Sequence, residues 1–249
     1  MSGHSKWVNI RVKKGKMDSL RGKAFTKLAK EIIAAARAGG GDPENNLRLR
    51  NVLVKARESS MPQDNIKRSI LRGTGEIDGI QYEEITYEGY GPAGVAVMVQ
   101  CMTDNRNRTA PEVRSIFRAH GGNLGETGCV SYMFDHRGVI LVAKDVADED
   151  TIMMAALEAG AEDVKNDDED VFEIFTAPSD VYVVKEALEK AGIATREADV
   201  LMVPQNTVTV TGKDVHTVMK LLDAFEENED VQNVYSNEAI SEEDLASLA

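Results

Sequence analysis

The chain has 249 residues, 42% of them apolar and 29% charged, with two cysteines and a formal net charge of −13. That balance belongs to a folded globular chain and excludes wholesale disorder, a collagen-like repeat and a disulfide scaffold. No stretch approaches the roughly 18 uninterrupted apolar residues of a membrane span, and no apolar core follows the basic N-terminus, so neither an anchor nor a secretory signal is expected. Cys101 and Cys129 point to free thiols in a reducing compartment, and the expected location is the cytoplasm.

Net charge hides a strong asymmetry. Residues 1–80 carry 17 Lys/Arg against 8 Asp/Glu, a net of +9, whereas residues 135–249 carry 8 against 28, a net of −20. Residues 81–134 are nearly balanced at −2. Such segregation points to a polyanion held by the N-terminal third, with the acidic remainder confining binding to one face. The plainer reading is that the two ends keep each other soluble.

Within the cationic third, Ser2 to Lys16 has no apolar periodicity. It places Lys6, Arg11, Lys13, Lys14 and Lys16 around the lone tryptophan, Trp7. Cations beside an aromatic suit phosphate neutralisation with base stacking; a frayed tail with Trp7 packed on its neighbours fits equally well. Residues 21–38 then follow a helical period, with Phe25, Leu28, Ile32 and Ala36 on one side and Lys23, Lys27, Lys30 and Arg37 on the other. Gly39 to Gly41 stop that helix, and Asp42-Pro43 reads as an N-cap with proline at the first helical position. Leu49, Val52, Leu53 and Ala56 form the buried stripe of a second helix. A third begins at a capping box, Ser60 to Gln63, and stops at Gly73. A helix-turn-helix is one reading of the three, although no recognition helix identifies itself.

From residue 82 the period changes to two. Strands are expected at 82–87 and 95–102, a helix at 109–120 opened by a Thr109 to Glu112 capping box, and a strand at 129–134. Residues 138–203 run strand, helix, strand, strand, helix, strand, the split pattern of ferredoxin-like units. A strand at 207–211, a helix with Val215, Val218, Met219, Leu222 and Phe225 inward, and a strand at 231–235 follow. The expected fold is α+β and multi-domain. A basic three-helix domain (1–80) precedes two ferredoxin-like α/β domains, one made of 81–134 with 205–249 and the other, 135–204, inserted into it.

Thr103 to Thr109 leaves a central strand and enters a helix N-terminus, where free N–H groups and the helix dipole favour an anion. Arg106 and Arg108 add forked donors for phosphate or carboxylate; the competing reading pairs them with surface acids such as Glu112. Gly121, Gly122, Gly125 and Gly128 read as a helix-to-strand turn in preference to a phosphate cradle, because no helix follows them. Phosphate-binding, dinucleotide and zinc-protease signatures are missing, and the four histidines fall on separate elements. Cys101 and Cys129 read as inert strand thiols, and the run 167–170 as a solvated turn. No catalytic centre, cofactor or metal is therefore expected, and the chain is read as not an enzyme.

Several motifs resemble the YebC family, bacterial relatives of the mitochondrial translational activator of cytochrome oxidase. They include Ser2-Gly3-His4-Ser5-Lys6-Trp7, Arg21-Gly22-Lys23 with Phe25-Thr26-Lys27, and Gly39-Gly40-Gly41-Asp42-Pro43. Met61-Pro62, Asn65-Ile66, Arg72-Gly73-Thr74-Gly75, Tyr87 to Pro92, Thr103 to Thr109 and Gly121 to Gly125 continue the match. The resemblance is dense over residues 2–134 and looser in the acidic half. It departs at Val12, where many members have histidine, and at Leu47, where many have proline. It implies a helical domain with two α/β domains, no cofactor, and one of two roles: a ribosome-associated translation factor that helps elongation, notably through consecutive prolines, or a DNA-binding transcriptional regulator. It further implies nucleic-acid contacts at Lys6, Trp7, Lys13, Lys14, Lys23, Lys27, Arg106 and Arg108; the charge pattern adds Arg11 and Lys30. The leading expectation is an RNA-binding factor on the ribosome contacting ribosomal RNA, with DNA regulation second. An enzyme or small-ligand sensor using the Arg106/Arg108 loop is a third reading, but no small-molecule substrate or membrane partner is expected.

Overall fold

The helical spacing of the first third is realised as three helices in a computed structural model that describes residues 19–168 and 170–246. They are α1 (Ser19–Gly39), α2 (Leu47–Glu58) and α3 (Gln63–Thr74). Ile32, Leu49, Val52, Leu53, Ala56, Met61 and Ile66 close one core, with Phe25 and Leu28 at its margin. The backbones of α2 and α3 both approach α1 closely, and Ile66 of α3 shares one buried core with Val52, Leu53 and Ala56 of α2.

Three helix boundaries differ from expectation. Asp42 does not cap α2; its carboxylate accepts from Glu44 N and Asn45 Nδ2 and folds a turn. Buried Asn46 is the cap instead. Its Oδ1 accepts from Leu49 N (3.0 Å), while its Nδ2 donates to the Ala35 and Gly40 carbonyls and ties the end of α1 to the start of α2. Nor is there a capping box at Ser60, because α3 starts after Pro62 with no side-chain cap. Gly73 is not the stop either: α3 runs through it to Thr74, and Gly75, at φ +81°, is the left-handed cap.

The remaining chain builds two four-stranded antiparallel sheets. The first has the order β3-β1-β2-β9, from β1 (Glu83–Tyr90), β2 (Ala96–Thr103), β3 (Asn123–Leu124) and β9 (Val231–Ser236). Helix α4 (Arg106–Ala119) links β2 to β3, and α7 (Lys213–Glu227) precedes β9. The second sheet has the order β5-β6-β4-β7, from β4 (Phe134–Ala143), β5 (Asp163–Lys165), β6 (Val171–Thr176) and β7 (Glu197–Pro204). With α5 (Glu149–Glu158) and α6 (Val181–Lys190) it has the ferredoxin-like path and strand order. The first sheet reaches the same arrangement by another route, opening with the β1–β2 hairpin and recruiting β9 from near the C-terminus. A short parallel pair, β8 (Val208–Val210) with β10 (Glu238–Ile240), and α8 (Glu242–Ala246) complete the described chain.

Strand β2 is apolar on both sides because both are covered. Val97, Val99 and Cys101 pack under α4 and α7, where Phe117 and Phe225 meet edge to face at 4.8 Å. Ala96 and Met98 face Val139, Leu141, Val171 and Phe175 of the second sheet. The outer side of that sheet buries Ile140, Val142 and Ile174 under α5 and α6. The order of layers is thus helices, sheet, sheet, helices.

Gly73 gives a test of the helical unit. In an open helix, Gly→Ala stabilises by about 1 kcal/mol. Here a Cβ would lie 2.6 Å from both the Ala36 Cβ and the Ile33 carbonyl oxygen. Gly73→Ala should therefore lower the unfolding free energy by about 1–3 kcal/mol in urea titration; a gain would mean that α1 and α3 are not this close.

Candidate nucleic-acid interface

Where the sequence suggested a loop open to an external anion, the chain supplies its own. Residues 106–108 are not loop but the first turn of α4, which starts three residues earlier than the Thr109 capping box implied. Asn105 is the N-cap, its Oδ1 accepting from Arg108 N at 3.2 Å. The Arg108 guanidinium lies 2.7 Å from Asp230 Oδ2 and 3.0 Å from Asp104 Oδ1. Thr109 Oγ1 is 2.8 Å and Thr103 Oγ1 3.2 Å from the same Asp230 oxygen. Glu112, the partner suggested by sequence, instead accepts from Asn228 Nδ2.

Asp230 also reaches the helical unit. Lys30, placed on the exposed cationic face by its spacing, is only 7% exposed. Its Nζ donates to the carbonyls of Met102 (3.1 Å) and Glu229 (2.9 Å), lies 3.3 Å from Asp230 Oδ1, and sits over the Tyr82 ring. Lys30 is therefore corrected from surface contact to internal clamp: every donor direction of a buried ammonium is needed here to offset its desolvation. Further along the same seam, Lys55 pairs with Asp199 at 2.6 Å and Lys185 with Glu58, fixing α2 to the second sheet and α6.

The glycine-rich turn likewise holds an internal anion. Glu88, 4% exposed, accepts from the backbone N–H groups of Gly128, Val130 and Ser131, each at 2.8 Å. Those groups are unavailable to a ladder, which is why the strand expected at 129–134 is replaced by a 3-10 turn at Ser131–Met133 and strand begins only at Phe134. Neither Glu88 nor Asp230 was singled out from sequence. The available signal was an acid at an inward-facing strand position together with a glycine-rich segment of the same sheet.

Of the residues expected to touch nucleic acid, Lys6, Trp7, Arg11, Lys13 and Lys14 lie outside the described residues. Lys23 is exposed; Lys27 is half-buried, with Nζ 3.5 Å from the Glu226 carbonyl. Arg106 is exposed and forms no salt bridge among the described residues, whereas Arg108 is committed to Asp104 and Asp230. Arg57, Lys67 and Arg68, not among the residues expected to touch nucleic acid, are exposed cations of the helical unit that form no salt bridge among the described residues. Burial, with the nearby Asp230 charge, pushes the Cys101 thiol up to about 12 and keeps it protonated. Among the described residues no cluster of three His, Cys, Asp or Glu is placed to hold a metal, and no helix is long and apolar enough to cross a membrane.

Comparison with known proteins sets this architecture in a family. The sequence profile of the TACO1/YebC second and third domain matches residues 82–238. The chain belongs to the TACO1/YebC family. The TACO1/YebC N-terminal domain profile matches residues 5–76. A relative from Persephonella marina is 57% identical over 244 residues, covering 98% of each chain, and one from Geobacter sulfurreducens is 55% identical over the full length of both. Both are named "Probable transcriptional regulatory protein". The crystal structure of a conserved hypothetical protein from Aquifex aeolicus superposes with a TM-score of 0.82 at 49% identity, covering 92% of this chain and 94% of that one. The TACO1/YebC fold of N-terminal helices followed by antiparallel sheets is thus shared across these proteins.

Two internal carboxylates predict the acid response. Burial alone would raise Glu88 and Asp230, but the three backbone N–H groups outweigh it for Glu88, and Arg108, Thr109 and Lys30 outweigh it for Asp230, so both are held below the usual carboxylate range. Unfolded carboxyls bind protons first, so this stabilisation is complete above about pH 4.5 and is lost as pH falls through the lowered native values. Glu88→Gln should cost about 1.5–3 kcal/mol at neutral pH and give a shallower decline of stability below pH 4.5 in urea titrations. Equal acid slopes for the variant and the parent would contradict the assignment.

Proposed function

We propose that the protein is a non-enzymatic nucleic-acid-binding regulator of gene expression that works in the cytoplasm on ribosomal RNA, as a translation factor assisting elongation. One observation carries this reading: a helical unit with exposed cations that form no salt bridge among the described residues stands at the front of a chain whose last 115 residues carry a net charge of −20. Phosphate neutralisation by Lys23, Arg57, Lys67 and Arg68, with the basic tail, supplies sequence-independent affinity. The acidic unit repels polyanions from its own side and so sets orientation. For this purpose the chain divides into a cationic binding unit (1–80), a connecting unit (81–134 with 205–249) and an acidic unit (135–204).

RNA is preferred to DNA here because the motifs shared with the family also imply a ribosome-associated role, and neutralisation of a phosphate backbone by dispersed cations needs no helix placed in a major groove. The name carried by the relatives favours a second reading, a DNA-binding transcriptional regulator, which requires base-edge contacts surviving competition from nonspecific polyanion.

The two readings separate by cosedimentation. At moderate salt the protein should pellet with ribosomes, and its affinity should fall with salt at a slope near −0.7 to −0.9 per neutralised phosphate. Combined Lys13→Glu, Lys14→Glu and Lys23→Glu substitution should abolish pelleting. A protein that stays in the supernatant while binding one duplex operator better than scrambled DNA would reverse the preference.

A further inference from the structure

All four Lys/Arg residues of 81–134 fall on one helix, α4: Arg106, Arg108, Arg114 and Arg118. Only Arg108 is used internally, by Asp104 and Asp230. The other three are exposed and form no salt bridge or hydrogen bond among the described residues, in a chain with 42 acids to 29 bases. Their spacing of eight and four residues sets them on one i, i+4 ridge about 18 Å long at 1.5 Å per residue. A shallow open concavity on the outer face of α4 is lined by Pro111, Arg114, Ser115, Arg118 and Ala119, all of that one helix.

These arginines contribute nothing visible to folding. Val113 and Phe117 already anchor α4 to the sheet, Arg106 in the first turn opposes the helix dipole, and Arg114 and Arg118 repel one another a turn apart. Arg118, in the last turn, suits the helix dipole, but Arg106 in the first turn and the Arg114–Arg118 repulsion do not, and both become favourable if an extended anion lies along the ridge. The N-terminus of α4 also meets α1 at Asp230, where Arg108 and Lys30 share one carboxylate. The start of α4 is thus tied directly to the helical unit.

We propose that Arg106, Arg114 and Arg118 form a second phosphodiester-backbone contact on α4, separate from the cationic helical unit and engaging the same nucleic acid. This inference rests on the nucleic-acid-binding reading above. The ligand chemistry is a run of phosphates with no base requirement, since guanidinium forks match phosphate oxygens at any sequence.

The test uses the full chain and a fluorescein-labelled mixed-sequence RNA hairpin, with affinity read by anisotropy across a salt series. Arg106→Gln/Arg114→Gln/Arg118→Gln should weaken binding about ten-fold or more at moderate salt and reduce the log–log salt slope by about 2 to 3. The corresponding triple Lys variant, which keeps the charge, should retain the parent slope. A Gln variant with the parent's affinity and slope, or a Lys variant as defective as the Gln variant, overturns the α4 assignment while the parent's own binding stands. A parent protein that binds the hairpin at no salt concentration overturns the functional reading and this inference together.

Discussion

A single buried carboxylate governs how the parts of this protein meet. Asp230, 5% exposed, sits between the end of α7 and the start of β9 and receives donors from three other places: Lys30 on α1, Thr103 at the end of β2, and Arg108 with Thr109 at the start of α4. Two further bonds fix its own backbone, from Met102 N to its carbonyl and from its N–H to Asn228. A charge this deep is tolerated only when it is paired and fully hydrogen-bonded, and removing one member of such a group leaves the others stranded at a cost of about 3–5 kcal/mol. The junction is therefore specific: the helical unit can dock in one orientation that satisfies every partner.

The same constraint explains which cations are available to a ligand. Lysines and arginines that look equivalent along the chain divide into those consumed at internal seams and those left over. Lys30, Lys55, Arg108 and Lys185 belong to the first group. Lys23, Arg57, Lys67 and Arg68 on the helical unit, and Arg106, Arg114 and Arg118 on α4, belong to the second. Glu88 plays the corresponding part for the glycine-rich turn, where an internal carboxylate occupies the backbone cradle that an external phosphate would need.

Apolar periodicity made most elements legible in the sequence. The run 171–176 is a strand, the third of the four expected across 138–203, and Leu49, Val52, Leu53 and Ala56 are buried as their spacing requires. What periodicity carries poorly is anything settled by a residue far away in the chain. Asn46 outcompetes Asp42 as a cap because its amide also reaches back to Ala35 and Gly40, and Asn105 moves the start of α4 ahead of Thr109, whose hydroxyl is drawn to Asp230. Lys30 and its acid are 200 residues apart and Arg108 and the same acid 122 apart, so local spacing put both cations on the surface. The candidate interface was thus legible as a distribution of charge, while the identity of its members required the fold.

The most direct measurement of the junction is a double-mutant cycle on the full chain with Lys30→Met, Asp230→Asn and the double variant, each assayed by urea unfolding. A buried pair that sets the docking of the helical unit predicts that each single substitution is strongly destabilising and that the double variant is less so than their sum, with a coupling of about 1.5–3 kcal/mol. Losses that add to within about 0.5 kcal/mol would show that Lys30 and Asp230 are neighbours without being partners, and that something else holds the units together.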